Sequence, residues 1–130
     1  MKGYGMFSIN NAGWIEKDRP VCGSLDAIVE PMVVAPCSSD THVLHGGNGE
    51  KTNLILGHEA VGKVAEVGNL VKDFKPGDVV VVPCCTPDWL SLNTQGEYTA
   101  HDKGLMASFK FLGSKDGTFA EYFHVNQADA

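Results

Sequence analysis

The apolar positions of this chain fall in short runs, not in long helical periods. Ala27–Val34, Ala60–Val67, Val79–Val82 and Phe119–Val125 concentrate valine, isoleucine and aromatic residues. Such side chains fit a pleated, half-buried surface, so each run predicts a strand. Lys75-Pro76-Gly77-Asp78 is a turn signal between the second and third runs. A short helix is expected from Ser38, as N-cap, toward Leu44, and a second near Asp88. Many short strands with frequent turns predict a mainly β barrel or sandwich. Thr86 to Lys115 reads as a long polar excursion carrying Trp89, Tyr98 and Phe109. Excursions of that length are usually functional or disordered.

Composition narrows the function classes more than the fold. With 130 residues the expectation is one domain, residues 1–130, able to bury a core without staples. A formal net charge of -6 argues against a nucleic-acid partner, which demands a basic surface. No apolar run reaches the length of a membrane span, and Met1–Asn10 lacks the apolar stretch of a secretion signal. The expected location is therefore the cytoplasm, where cysteines are thiols or metal ligands in preference to disulfides. Cys22, Cys37, Cys84 and Cys85 form no C-x-x-C pair, so a closed four-cysteine zinc site is not expected. Gly46-Gly47-Asn48-Gly49 is glycine-rich but lacks the lysine and hydroxyl residue of a phosphate loop, and reads as a surface loop. No dinucleotide fingerprint is present.

The candidate chemistry lies in two segments. His58-Glu59 sets an imidazole beside a carboxylate, between Gly57 and Gly62. As an isolated pair this reads as a surface dipeptide. Cys37 follows an apolar run and by default is a packed thiol. The spacing around His58 changes both readings. Gly57, His58, Glu59, Gly62, Gly68 and Val71 resemble, at each defined position, the zinc signature of the medium-chain alcohol dehydrogenases. Cys37-Ser38-Ser39-Asp40-Thr41-His42 and Gly77-Asp78-Val79-Val80 are similar to two further segments of that family. Gly13-Trp14-Ile15-Glu16-Lys17, Thr86-Pro87-Asp88-Trp89 and Lys115-Asp116-Gly117 resemble its NADP-dependent secondary alcohol dehydrogenases from anaerobic bacteria and protists.

The resemblance implies a GroES-like, partly open antiparallel β-barrel with a few short helices. In the family a Rossmann domain follows this one, and it is not among these residues. The resemblance further implies one catalytic zinc, held by Cys37 and His58 with Glu59 close by or in the next shell, and a third firm ligand beyond residue 130. Zinc would polarise the alcohol oxygen, Ser39 would take its proton, and His42 would pass that proton to solvent. The hydride would go to NADP, bound by the Rossmann domain, so the 130 residues alone are expected to be inactive. The implied partner is a small secondary alcohol or ketone, and the full-length enzyme is expected to be a homotetramer. Cys84, Cys85 and Phe109 are expected to line the substrate pocket. Cys84 and Cys85 replace the small and apolar residues usual there, and Phe109 stands where close relatives carry tryptophan.

Other residues receive plainer expectations. His45, His101 and His124 read as surface or strand-end histidines, Cys22 as a simple thiol, and Trp14 and Trp89 as packing anchors. Phe119, Tyr122 and Phe123 are expected on an exposed apolar docking face. The competing functions are a non-catalytic GroES-like binding or assembly module and a zinc-free quinone reductase. The joint presence of Cys37, Ser39, His42, His58 and Glu59 favours the dehydrogenase over both.

Overall fold

The computed structural model describes residues 1–82, 84 and 115–129. Its strands are β1 (Lys2–Ser8), β2 (Asn11–Glu16), β3 (Ala27–Val34), β4 (Leu54–Ile55), β5 (Ala60–Val67), β6 (Val79–Val82) and β7 (Phe123–Val125). One helix, α1 (Ser38–Leu44), lies among the described residues. The strands form two antiparallel sheets, ordered β2-β1-β4 and β6-β5-β3-β7. A mainly β, GroES-like architecture with an open barrel was the expectation, and the two sheets agree with it. Among the described residues no helix is long and apolar enough to cross a membrane. The expected helix near Asp88 lies outside the described residues.

The first sheet begins with a hairpin that the run pattern does not predict. β1 and β2 pair from Lys2↔Glu16 to Ser8↔Asn11, with an irregularity between Met6 and Ser8. Asn10 sits at the turn with φ 61, a left-handed conformation that asparagine tolerates and tight hairpins require. Trp14 stands opposite Tyr4 and meets it edge-on, with ring centroids 5.6 Å apart. Trp14 is 74% exposed, so it does not anchor a core as expected. The inward face of this hairpin is lined by glycines and Met6, which leaves a large ring room only on the outer face.

Two apolar clusters fill the interior. Met6, Val43, Leu54 and Leu56 pack between the first sheet and α1, with Leu44 and Phe119 against them. Ala27, Val29, Ala60, Val82, Phe123 and Val125 fill the second sheet. Phe123 is only 3% exposed, and Phe119 packs on the first cluster. Tyr122 is half-buried, with the Arg19 guanidinium 4.5 Å above its ring. The exposed docking face expected from these three aromatics is therefore not formed.

The segment expected as one strand, Phe119–Val125, is a strand only from Phe123. Before that point the chain leaves the strand path. The amides of Gly117, Thr118 and Phe119 bond the carbonyls of Ile55 (2.8 Å), Gly57 (2.9 Å) and Leu56 (3.0 Å). Asp116 adds a carboxylate to the same junction, accepting from the Ile55 amide (3.0 Å) and from Lys17 Nζ (2.6 and 2.8 Å). These bonds clamp residues 55–57 from one side.

Candidate metal centre

The antiparallel register of β3 and β5 creates the site. Val34 stands opposite Ala60 at the end of the pair. Cys37 comes three residues after Val34, and His58 two residues before Ala60. The two strand ends therefore deliver both side chains to one edge of the sheet. The Ala35 amide bonds the Glu59 carbonyl at 3.1 Å and continues the pairing toward them. Gly57 turns the chain into His58 with φ 91, a conformation that disfavours any side chain. A Cβ there would also strike Phe119 and would come within 2.7 Å of Thr118 Oγ1.

Ser38 is the first residue of α1 and not its N-cap as expected; the N-cap is Cys37, in extended conformation. Asp40, three residues on, reaches back so that its Oδ2 accepts from the Cys37 amide at 2.9 Å. The other carboxylate oxygen, Oδ1, accepts from the Gly57 amide at 3.0 Å and lies 3.3 Å from His58 Nδ1. One buried carboxylate thus joins both halves of the site. With Nδ1–H donating to Asp40, His58 Nε2 carries the ring's lone pair. It lies 3.2 Å from Ser39 Oγ and 3.7 Å from Glu59 Oε1.

Cys37, His58 and Glu59 each offer a ligand atom, and all three atoms lie within 4.8 Å of one another. Hydrogen bonds from the Ser39 hydroxyl and amide, with the neighbouring His58 ring a smaller influence, hold the Cys37 thiol below its usual pKa. That favours the thiolate, the form that ligates metal. A thiolate, an imidazole oriented by a carboxylate, and a second carboxylate are a donor set that fits zinc. His58 is only 9% exposed, Cys37 is part-buried and Glu59 is exposed, so the cluster opens to one side.

The remaining candidates are distributed differently. Ser39 belongs to the cluster through its contact with His58. His42 lies on the last turn of α1, exposed, and its ring lies over Gly47. Among the described residues no hydrogen bond joins it to Ser39. Cys84 is exposed. Cys85 and Phe109 fall outside the described residues, as do His101 and Trp89. His45 is exposed at the end of α1, and His124 lies in β7, 2.9 Å from Asp26. Cys22 contacts the Gly23 and Asp26 carbonyls, and burial raises its pKa.

Asp40 is the site residue that sequence reasoning passed over. Its signal was a carboxylate three positions after a helix-initiating residue, which is an N-terminal capping pattern. That pattern explains the bond to the Cys37 amide but not the reach to His58, eighteen residues away.

Comparison with known proteins gives the family. The alcohol dehydrogenase GroES-like domain family matches residues 23–130. Over 130 residues the chain is 61% identical to an NADP-dependent isopropanol dehydrogenase of Clostridium beijerinckii, covering 99% of this chain and 37% of that protein. It is 52% identical to the NADP-dependent isopropanol dehydrogenase of Entamoeba histolytica, covering 36% of that protein. The solved apo structure of zinc-dependent alcohol dehydrogenase 2 from Streptococcus pneumonia superposes with a TM-score of 0.85 at 33% identity, over 99% of this chain and 36% of that one. The chain thus spans little more than a third of the length of these relatives. Its fold and sequence together make it a member of the alcohol dehydrogenase GroES-like domain family.

Proposed function

We propose that these residues form the zinc-binding catalytic domain of an NADP-dependent dehydrogenase that interconverts secondary alcohols and ketones. The observation that carries this reading is the meeting of Cys37, His58 and Glu59 within 4.8 Å, with Ser39 on the same ring nitrogen of His58. The names of the 61% and 52% identical relatives support isopropanol-like substrates and NADP.

Zinc bound by Cys37, His58 and Glu59 would supply Lewis-acid polarisation, lowering the proton affinity of an alcohol oxygen. The chain's own groups do the rest. Asp40 fixes the His58 ring so that Nε2 and not Nδ1 faces the cluster. Ser39 Oγ, held 3.2 Å from that nitrogen, is placed to accept the alcohol proton. As it does so Ser39 would release its own hydroxyl proton, which His42, exposed on the same helix, would pass on to water. A nicotinamide-binding domain outside these residues would receive the hydride. The same reading includes a cytoplasmic location and a homotetrameric full-length enzyme.

The test is zinc content of the full-length protein beside Cys37→Ser, with alcohol-dependent NADP reduction measured in parallel. About one zinc per chain at this site, lost in Cys37→Ser together with activity, is the expected result. Zinc that survives the substitution would move the metal elsewhere. Zinc retained without NADP reduction in the unaltered protein would favour a non-catalytic module. The isolated 130 residues should reduce no NADP.

A further inference from the structure

We propose that Gly47 is a positioning residue that seats the imidazole of His42. The inference rests on the reading of His42 as the outer proton relay and supplies the means by which the ring is held.

The end of α1 explains the arrangement. The Gly46 amide bonds the Val43 carbonyl, and the Gly47 amide bonds the His42 carbonyl, both at 2.9 Å. Gly46 lies between them with φ 85. This pair of bonds around a left-handed residue is the Schellman termination of a helix. In it the second residue past the cap folds back over the third residue from the helix end, and the two side chains commonly touch. Here those residues are Gly47 and His42. Gly47 has no side chain, and the His42 ring occupies the space instead. A Cβ on Gly47 would overlap His42 Nε2, Cε1 and Cδ2.

Two features separate this from an ordinary turn glycine. Gly47 is outside the left-handed region, so its backbone accepts alanine without strain. The three atoms nearest such a Cβ all belong to the far end of an exposed side chain, which can swing away. The helix termination itself is carried by Gly46. Gly47→Ala should therefore displace the His42 ring while leaving the fold intact. By contrast, Gly46→Ala would strain the cap and confound the result.

The experiment uses the full-length enzyme with Gly47→Ala, His42→Ala and the double variant. Two quantities are read: steady-state kinetics with a secondary alcohol, and the rate at which diethyl pyrocarbonate modifies His42, followed by mass spectrometry. Gly47→Ala is expected to lower kcat by roughly tenfold with KM within about twofold, because a relay acts on the step and not on binding. The double variant is expected to equal His42→Ala, since Gly47 acts only through the ring. Melting temperature and zinc content should stay at the unaltered values, and His42 should be modified several-fold faster in Gly47→Ala.

An unchanged modification rate overturns the seating of His42 by Gly47, whatever the kinetics show. A double variant much slower than His42→Ala also overturns it, because Gly47 would then act by another route. Full activity in His42→Ala overturns the relay reading, and the modification rate still decides the positioning claim.

Discussion

The molecule contains two histidine–aspartate pairs, and they use the imidazole in different ways. In the candidate centre, Asp40 takes His58 Nδ1 at 3.3 Å, and Nε2 faces Ser39 and Glu59. At the other end of the sheet, His124 Nε2 itself lies 2.9 Å from Asp26 Oδ2. Asp26 also accepts from the Gly23 amide (3.2 Å) and the Gln127 amide (3.1 Å). It thereby joins the loop before β3 to the strand β7 and the residues after it. The first carboxylate aims a ring at donor groups; the second consumes the ring in a staple. An imidazole–carboxylate pair acquires metal-binding capacity only where the carboxylate leaves a nitrogen directed at further ligands.

The largest expected effect separates the two pairs outright. His58→Ala in the full-length protein should abolish zinc binding, whereas His124→Ala should retain about one zinc per chain. Metal analysis of both variants after dialysis decides this. If His124→Ala also loses zinc while remaining folded by circular dichroism, the division between aiming and stapling is wrong. A smaller effect is expected from Asp40→Asn. It removes the charge that orients His58 but leaves the three proposed ligands, so zinc affinity should fall about 10–100-fold. Competition with a chelating dye would measure it. An affinity unchanged within error would reduce Asp40 to a helix cap.

The elements bearing the site were legible in sequence, and the long-range bonds were not. Ala27–Val34, Ala60–Val67, Val79–Val82 and the helix from Ser38 to Leu44 occupy the places their residue types predict. β-branched runs bounded by turn residues are local signals, and tertiary packing reinforced them. The signature glycines were equally informative: side chains at Gly62 and Gly68 would strike the backbone of Glu30 and of Gly23 and Ser24. The β1–β2 hairpin was missed because its inward positions include Gly3 and Gly5, which carry no apolar signal. Phe119–Tyr122 looked like strand because the composition is right; contacts with residues 55–57, some sixty positions earlier, divert it. The gathering of Cys37, His58 and Glu59 was anticipated through family spacing. Asp40 was not, since its role depends on a neighbour brought close only by the β3–β5 register.

The smallest effects belong to the staple and are expressed in stability alone. Burial raises the pKa of Asp26, but hydrogen bonds from the Gln127 amide, His124 and the Gly23 amide outweigh it and hold the carboxyl below its usual value. A carboxyl depressed in the folded state contributes stability in full above its unfolded pKa, about 3.9, and loses it as pH falls through the folded value. Asp26→Asn should therefore cost about 1–3 kcal/mol at neutral pH, as expected for losing charge-assisted bonds. It should also flatten the loss of stability below about pH 4. His124→Gln keeps Asp26 charged and removes one of its partners, so about 0.5–1.5 kcal/mol is expected. Denaturant unfolding at pH 7 and below pH 4 measures both. Neither variant should alter zinc content, because no bond of Asp26 or His124 reaches Cys37, His58 or Glu59 among the described residues. An acid profile of Asp26→Asn that parallels the unaltered protein would assign the acid sensitivity to other carboxylates.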